Sequence, residues 1–306
     1  MVFLVQEHLE RNNICKLPFY KAPDLLKRRS ETMNNYFEYQ TITEHVKRIL
    51  LPGDVFSYLI EGDHTAVLID TGCGLGDLKE YVESLTDKPI TVLLTHGHLD
   101  HAPGAVQFEK VYLSPLDIDI YNAHHLISRR VEYLNGTSSA DKYSPEDLLP
   151  EMNLEKYIPL YDGIILDLGD YHIKGFSCGG HTPGSFVFLL QEDELLILGD
   201  ACNSFTFLFD KTSLGLTSYE NNLKKLLQKV HGTYQRVLLS HGEAEASANM
   251  ISEVICVCEE IKKGSTDDIP FQFIGRTGWK AYAEERFNEN GQIMGNIVYD
   301  INRVNQ

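Results

Sequence analysis

The sequence predicts an α+β fold in which two β-sheets are faced by helices. Two observations carry that reading. β-Rich runs come first and in a group, at Thr41–Leu50, Val55–Glu61 and Thr65–Asp70, and the later strands mix with helical segments without alternating with them one for one. A single doubly wound sheet needs regular strand–helix alternation, which grouped strands do not supply. A chain of 306 residues is long enough to bury the core such an arrangement requires, without a disulfide scaffold.

The first forty residues stand apart. They hold a small basic cluster (Lys27, Arg28, Arg29) and the aromatics Phe19, Tyr20, Tyr36, Phe37 and Tyr39, with a short helix expected around Asp24–Met33 behind Pro23. Residues 1–40 therefore read as an extension packed on a main domain of residues 41–306. A dimer arm or a wall of a substrate pocket are the other readings, which leaves a homodimer open.

The three early strands are separated by Pro52-Gly53-Asp54 and Gly62-Asp63, both turn chemistries. Asp70-Thr71-Gly72 then leads into a helix near Leu75–Leu85, and the continuous apolar strand Ile90–Leu94 runs into Thr95–His101. Ala102–Phe108 reads as helical, Lys110–Leu113 as a strand, Pro115–Leu134 as a longer helix, and 135–159 as an irregular excursion. Strands resume at Gly163–Leu168, Tyr171–Ser177, Ser185–Leu190 and Glu194–Leu198. A helix near Tyr219–Val230, the strand Arg236–Leu239 and a helix over about Ala244–Lys262 follow. The tail Phe271–Asn302 is mixed and ends strand-like at Gly295–Ile301.

Composition excludes several classes of partner. Lys and Arg total 27 against 44 Asp and Glu, a formal charge of −17. Such a surface repels phosphate backbones, so no nucleic acid is expected. Small anionic substrates stay open, because a bound metal can dominate the charge of its own pocket. The six cysteines (Cys15, Cys73, Cys178, Cys202, Cys256, Cys258) form no CxxC pair, which favours a reducing compartment. Gln6, Glu7, His8, Glu10 and Arg11 interrupt the start of the chain, so no signal peptide is read, and no apolar run reaches membrane-spanning length. The expectation is a cytoplasmic protein with no membrane partner.

Thr95-His96-Gly97-His98-Leu99-Asp100-His101 is the most informative stretch. Imidazole and carboxylate are borderline-hard ligands that suit zinc, iron, manganese and cobalt. Directly after a buried strand, His96 and His98 can point the same way and share one ion, while Asp100 and His101 turn toward a neighbouring one. A surface histidine loop is the bland alternative, but this cluster emerges from an apolar run that reads as fully buried. Burying four such side chains without a metal would be costly. Three more ligand types occupy the same kind of place. His181 lies in the glycine-rich turn Gly179–Gly184, Asp200 follows the apolar strand Leu195–Leu198, and His241 follows Val237–Leu239. Each alone would more often be a turn or core residue. Four ligand-bearing strand ends in one chain point to a shared centre.

The ordered motifs Thr-His-x-His-x-Asp-His, Gly-His-Thr-Pro-Gly-Ser, Gly-Asp and Ser-His-Gly, with the upstream Val67-Leu68-Ile69-Asp70-Thr71-Gly72, resemble the metallo-β-lactamase superfamily over about Val55 to Gly242. The resemblance implies a four-layer αββα sandwich with the site at one edge of the two sheets. It implies one ion on His96, His98 and His181, a second on Asp100, His101 and His241, and Asp200 bridging both. Asp70 would sit behind the ligands and tie the histidine loop to the sheet, where outer carboxylates orient ligand imidazoles; a turn role for it is compatible with that.

The chemistry implied is a dinuclear metal-dependent hydrolase. A water bridging two divalent ions, zinc first and manganese or iron as alternatives, loses a proton near neutral pH and attacks, with Asp100 orienting it or shuttling a proton. His98 stands where flavodiiron-type relatives carry Glu, which argues against oxygen or nitric-oxide reduction, and a bridging Asp is not typical of the true β-lactamases. Lactonases of the family have Tyr three residues after the bridging Asp, where this chain has Asn203. Glyoxalase II-like thioesterases add a C-terminal helical domain, and the C-terminal stretch here is short. A small-molecule ester, thioester or phosphodiester remains as the substrate class. Asn203 is the candidate polar contact, and Phe205, Phe207 and Phe209 read as a half-buried strand or as an apolar pocket wall. A non-catalytic metal-binding sensor and a mononuclear-iron thiol oxidoreductase are the competing functions. Cys178 and Cys202 are expected to be small core residues, not ligands, and His124 and His125 to lie on a solvated helix face.

Overall fold

Successive side chains of a strand point to opposite faces, and the partners each face finds sort the strands into layers. The computed structural model describes residues 36–152, 157–242, 245–273 and 275–306, so the basic cluster and the helix expected at Asp24–Met33 lie outside the described residues. The first sheet takes its strands in sequence order: β1 (Glu38–Thr41), β2 (Val46–Leu51), β3 (Val55–Glu61), β4 (Ala66–Ile69), β5 (Ile90–Leu93), β6 (Val111–Leu113) and β7 (Tyr157–Pro159). It is antiparallel from β1 to β4 and parallel from β4 to β7. β8 (Ile165–Asp167), β9 (His172–Ser177), β10 (Phe186–Leu190) and β11 (Leu195–Gly199) begin a second sheet. β12 (Thr206–Leu208) leaves it, and β13 (Arg236–Leu239) and β14 (Glu245–Ala246) complete it in the order β14-β13-β11-β10-β9-β8.

On β3, Phe56, Tyr58 and Ile60 point toward the second sheet while Val55 and Leu59 point away from it. Ile197 of β11 and Leu238 of β13 face the first sheet, while Leu196, Leu198, Val237 and Leu239 face outward. The outward face of the first sheet receives Leu78 and Val82 of helix α1 (Leu78–Glu83) and Tyr121 of α2 (Ile118–His124). α3 (Ile127–Leu134) follows at the edge. The outward face of the second sheet receives α4 (Leu216–Val230) and α5 (Met250–Lys263), through Tyr219, Leu223, Leu226, Met250, Val254 and Val257. The order of layers is α, β, β, α, as expected. Each fully buried Leu, Ile or Val in these interfaces contributes roughly 1.5–3 kcal/mol of transfer free energy. A one-residue slip in any central strand would turn that set to the wrong face, which fixes the register.

Several local expectations are corrected. The helix expected over Pro115–Leu134 is divided: a short 3-10 turn at Pro115–Asp117 precedes α2, and the chain breaks at His125–Leu126 before α3. No Pro or Gly marks the break. His125 donates from both its backbone and its ring to the Tyr121 carbonyl, and Glu151 accepts from the Ile127 N–H, so both helix ends are satisfied by contacts invisible at short range. Ala102–Phe108 is a 3-10 helix over Pro103–Gln107. The helix expected from Ala244 begins at Met250, because Glu245–Ala246 pairs with β13 as an edge strand.

The expected boundary at residue 40 falls inside β1, whose Glu38 pairs with Leu50, and Phe37 is buried with the helix-side core. The mixed tail is a third sheet of order β12-β17-β16-β15, with β15 (Ile269–Phe273), β16 (Arg276–Lys280) and β17 (Ile297–Tyr299).

Candidate metal centre

β4 and β5 run parallel, with Ile69 beside Leu93, so the residues that follow them emerge together at one edge of the first sheet. Asp70 adopts φ +62, a left-handed conformation that Asp tolerates better than most residues. Its buried carboxylate accepts three hydrogen bonds: from Thr95 N at 2.8 Å, from Thr95 Oγ1 at 2.7 Å and from His101 Nδ1 at 2.8 Å. Having donated to Asp70, the Thr95 hydroxyl accepts from His96 Nδ1 at 3.0 Å.

The second sheet brings its ligands to the same edge. His181, in the turn between β9 and β10, donates from Nδ1 to the Phe207 carbonyl at 2.9 Å. Asp200 follows β11. His241, just past β13, donates from Nδ1 to the Asp54 carbonyl at 2.9 Å. The two sheets are stitched here by Phe56 N donating to the Ser240 carbonyl at 2.8 Å, and by the buried Tyr58 hydroxyl donating to the Leu239 carbonyl.

These partners decide the tautomers. His96, His101, His181 and His241 each place their ring proton on Nδ1, which leaves a lone pair on every Nε2. The Nε2 atoms then converge. His101 Nε2 lies 3.2 Å from His241 Nε2, while His98 Nδ1 lies 3.1 Å from His96 Nε2 and 2.9 Å from His181 Nε2. Lone pairs facing each other at such distances repel unless a cation or a proton lies among them. His96, His98 and His181 form one group able to hold an ion, and Asp100, His101 and His241 form another. Asp200 Oδ2 sits between them, 3.6 Å from His181 Nε2, 3.5 Å from His101 Nε2 and 3.6 Å from His241 Nε2. Its other oxygen is buried and without a hydrogen-bond partner among the described residues. A buried, unpartnered carboxylate oxygen amid imidazole lone pairs is a donor set that fits divalent metal.

The electrostatics divide the two groups. Burial, reinforced by the surrounding imidazoles, holds His96 and His98 well below the usual histidine range, so both are neutral lone-pair donors at pH 7. Burial acts the same way on His101, but the carboxylates of Asp100, Asp70 and Asp200 outweigh it and raise its pKa well above that range. His241 is likewise raised against its burial by Asp200 and Asp100. Burial opposes the ionisation of Asp100 and Asp200, but the neighbouring imidazoles overcome it and hold both below the usual carboxylate range.

All seven expected ligand positions thus meet at one place, with Asp70 behind them. Asn203 is differently engaged: its side-chain oxygen accepts from Phe205 N at 2.8 Å, and Thr206 Oγ1 accepts from its backbone N–H at 3.0 Å, a local turn that shapes the start of β12. Cys178 and Cys202 lie in the core between the second sheet and its helices, where burial raises the Cys178 thiol to about 12. The five cysteines among the described residues are all free.

Two residues have places that the sequence reading did not give them. Asp117 is fully buried, and its carboxylate accepts from Gly97 N at 2.9 Å, Thr182 Oγ1 at 2.7 Å and Gly184 N at 2.7 Å. It therefore joins the loop that carries His96 and His98 to the turn that carries His181. A Cβ at Gly97 would lie 2.7 Å from the Asp117 carbonyl oxygen, and one at Gly184 would lie 2.5 Å from its carboxylate, so close approach requires glycine at both positions. Ser114-Pro115 announces a helix start near Asp117, but nothing local shows what the carboxylate faces. The second is His124. It is half-buried and not on a solvated face: its ring stacks on His98 at 4.7 Å and 19°.

The sequence profile of the metallo-beta-lactamase superfamily matches residues 50–241, well over half of the chain. This chain belongs to that superfamily. Among curated relatives of this superfamily member is the acyl-coenzyme A thioesterase MBLAC2 of Homo sapiens, 24% identical over 200 residues that cover 60% of this chain and 71% of that protein. Another is the hydroxyacylglutathione hydrolase GloC of Haemophilus influenzae, 27% identical over 155 residues, 47% of this chain and 64% of that protein. Among solved structures, a metallo-beta-lactamase from Erythrobacter litoralis superposes with a TM-score of 0.51 at 14% identity, covering 75% of this chain and 99% of that one. At that identity the likeness shows the metallo-β-lactamase fold alone.

Proposed function

We propose that this protein is a metal-dependent hydrolase of a small-molecule ester or thioester, working with two divalent ions, zinc foremost. The observation that carries the reading is the placement of Asp200 Oδ2 within 3.6 Å of imidazole nitrogens from both ligand groups. That position suits a carboxylate shared by two ions and has no other evident purpose. Relatives named as a thioesterase and as a hydroxyacylglutathione hydrolase, both acting on thioesters, favour a carbonyl substrate over a phosphodiester.

Divalent ions, when bound here, would supply Lewis acidity at the scissile carbonyl and lower the pKa of water into the neutral range. The remaining work belongs to the chain. His96, His98 and His181 would hold one ion, and Asp100, His101 and His241 would hold the other. Asp70 and the Phe207 and Asp54 carbonyls fix the ring tautomers, so that no side chain has to reorganise during the reaction. Asp100, kept ionised by the neighbouring imidazoles and 3.4 Å from His241 Nε2, would offer a carboxylate oxygen that orients the attacking water or relays its proton.

The test is a panel of a thioester, an ester, a lactone, a phosphodiester and a β-lactam, run on protein loaded with zinc, manganese or iron, each with a chelator control. Chelator-sensitive turnover of the thioester or ester is expected, and Asp200→Ala should lose the second ion and turnover together. Near-native turnover in that variant would remove the shared-carboxylate assignment. Silence across the panel with two ions verified would favour a sensor over an enzyme.

A further inference from the structure

The third sheet carries an aromatic face that the metal centre does not use. Phe205, Phe207 and Phe209 alternate with Thr206 and Leu208, which are buried on the opposite side. The sheet curls until these rings meet those of β15. Phe205 lies 5.3 Å from Phe271, Phe207 lies 5.7 Å from Phe271 and 5.3 Å from Phe273, and Phe209 lies 6.0 Å from Phe271. Phe209 fills the space above Gly278, which closes the base of this surface. Among the described residues nothing covers its upper side. Phe205, Phe207 and Phe271 are half-buried, Phe273 is 38% exposed and Ile269 is 41% exposed.

Three features make this more than a stray apolar patch. The first is a direct hydrogen-bonded link to the metal centre, since the Phe207 carbonyl is the group that orients His181. The second is position. Arg276, opposite Phe273 in the β15–β16 pair, is ion-paired with Asp210 just past β12, so the hairpin is tied to the strand whose Phe207 carbonyl orients His181. The third is shape. The rings meet at 52° to 79°, which presents an uneven apolar surface with no parallel slot for a planar ring. A flexible alkyl chain conforms to such a surface.

We propose that Phe205, Phe207, Phe271 and Phe273 form the subsite for a linear apolar acyl chain, whose carbonyl end reaches the metal centre. The proposal rests on the hydrolase reading above and deepens it by naming the acyl group. The aromatic face is then a selectivity device: it discriminates among acyl groups by length and leaves the chemistry to the ligand cluster.

The experiment is a series of acyl thioesters of N-acetylcysteamine, from acetyl to dodecanoyl, on the zinc-loaded full chain. In the wild type, kcat/KM should rise roughly threefold per added methylene over the first several carbons, the order expected for burying each one. Phe273→Ala, at an exposed position, and Phe271→Leu, which keeps an apolar side chain, should both flatten that slope. A flat slope in the wild type, or an unchanged slope in both variants, overturns the proposal.

Direct binding of laurate to the same zinc-loaded proteins, by calorimetry, separates this from the hydrolase reading. Laurate binding that weakens about tenfold in the variants supports the subsite even if no thioester turns over, in which case only the hydrolase reading fails. Absence of laurate binding overturns it and assigns the face to another occupant, such as a second copy of the chain.

Discussion

Asp70→Asn is the most discriminating perturbation of the centre, because it keeps the shape of the side chain while removing its charge and turning one acceptor into a donor. The native carboxylate accepts from Thr95 N, Thr95 Oγ1 and His101 Nδ1. An amide at the same place keeps one oxygen, which Thr95 N retains, and turns an NH2 toward His101 Nδ1. His101 must then accept at Nδ1 and carry its proton on Nε2, the atom that faces His241 Nε2 at 3.2 Å and Asp200 at 3.5 Å. An ion entering that half has to displace this proton or force the opposite tautomer against the amide. Loss of an outer-shell partner costs about 10–100-fold in metal affinity, or about 1.4–2.7 kcal/mol at 1.4 kcal/mol per factor of ten.

The penalty should fall on the Asp100, His101 and His241 half. His96, His98 and His181 make no direct bond to Asp70, so that half should change much less. Competition of zinc against a chromophoric chelator, fitted to two stoichiometric steps, reads both affinities, and a thermal melt checks that the fold is kept. Two affinities unchanged from wild type would show that Asp70 does not set the His101 tautomer. Equal weakening of both with the melt unchanged would show that the two halves are not separate sites.

Other consequences can be tested on the same protein. Asp117→Ala leaves three buried donors without an acceptor and should lower stability by about 3 kcal/mol, read as an earlier denaturant midpoint; a loss below about 0.5 kcal/mol would mean the two ligand loops do not depend on that carboxylate. The raised pKa values of His101 and His241 mean that an ion entering their half competes with protons more than it would at ordinary imidazoles, so loading that half releases protons and its affinity climbs as pH rises through those raised values. His96 and His98, held low, are already neutral, so their half should bind with little pH dependence near pH 7. Calorimetry in two buffers of different ionisation enthalpy distinguishes the steps, and equal proton release in both would refute the division.

What the sequence made legible was whatever local pattern encodes. The continuous apolar runs of β3 and β13 gave those strands to the residue, because both are buried on both faces and bounded by the polar Glu61 and Arg236. The seven candidate ligands were legible because six of them follow buried apolar strands and His181 sits in a glycine-rich turn, places where a polar side chain is unexpected unless something binds it. Tertiary contacts were not legible. The break between α2 and α3 depends on Glu151, far along the chain, and the edge strand β14 depends on pairing with β13. Asp117 reads locally as an ordinary helix-start residue, and only the fold shows that it faces Gly97 and Gly184. The alternating phenylalanines were read correctly as a strand, but their partners on β15 lie more than sixty residues away.

Asp70 and Asp117 make a common physical point. Each is a buried carboxylate that accepts three hydrogen bonds, and neither belongs to the convergent ligand set. Such residues are costly to desolvate, and burial indeed pushes the pKa of Asp117 upward in spite of its donors. A fold would not keep two of them at one edge for stability alone, since apolar packing of equal volume commonly does as well. Their placement explains the cost. Asp70 fixes the loop after β5 within the first sheet, and Asp117 ties that same loop to the His181 turn of the second sheet. Together they tie the loop of His96 and His98 to both sheets, so the candidate ligands of the two sheets are held in one register, as a metal site requires to within about 0.5 Å. The stability given up behind the ligands is what lets their lone pairs be held face to face in front.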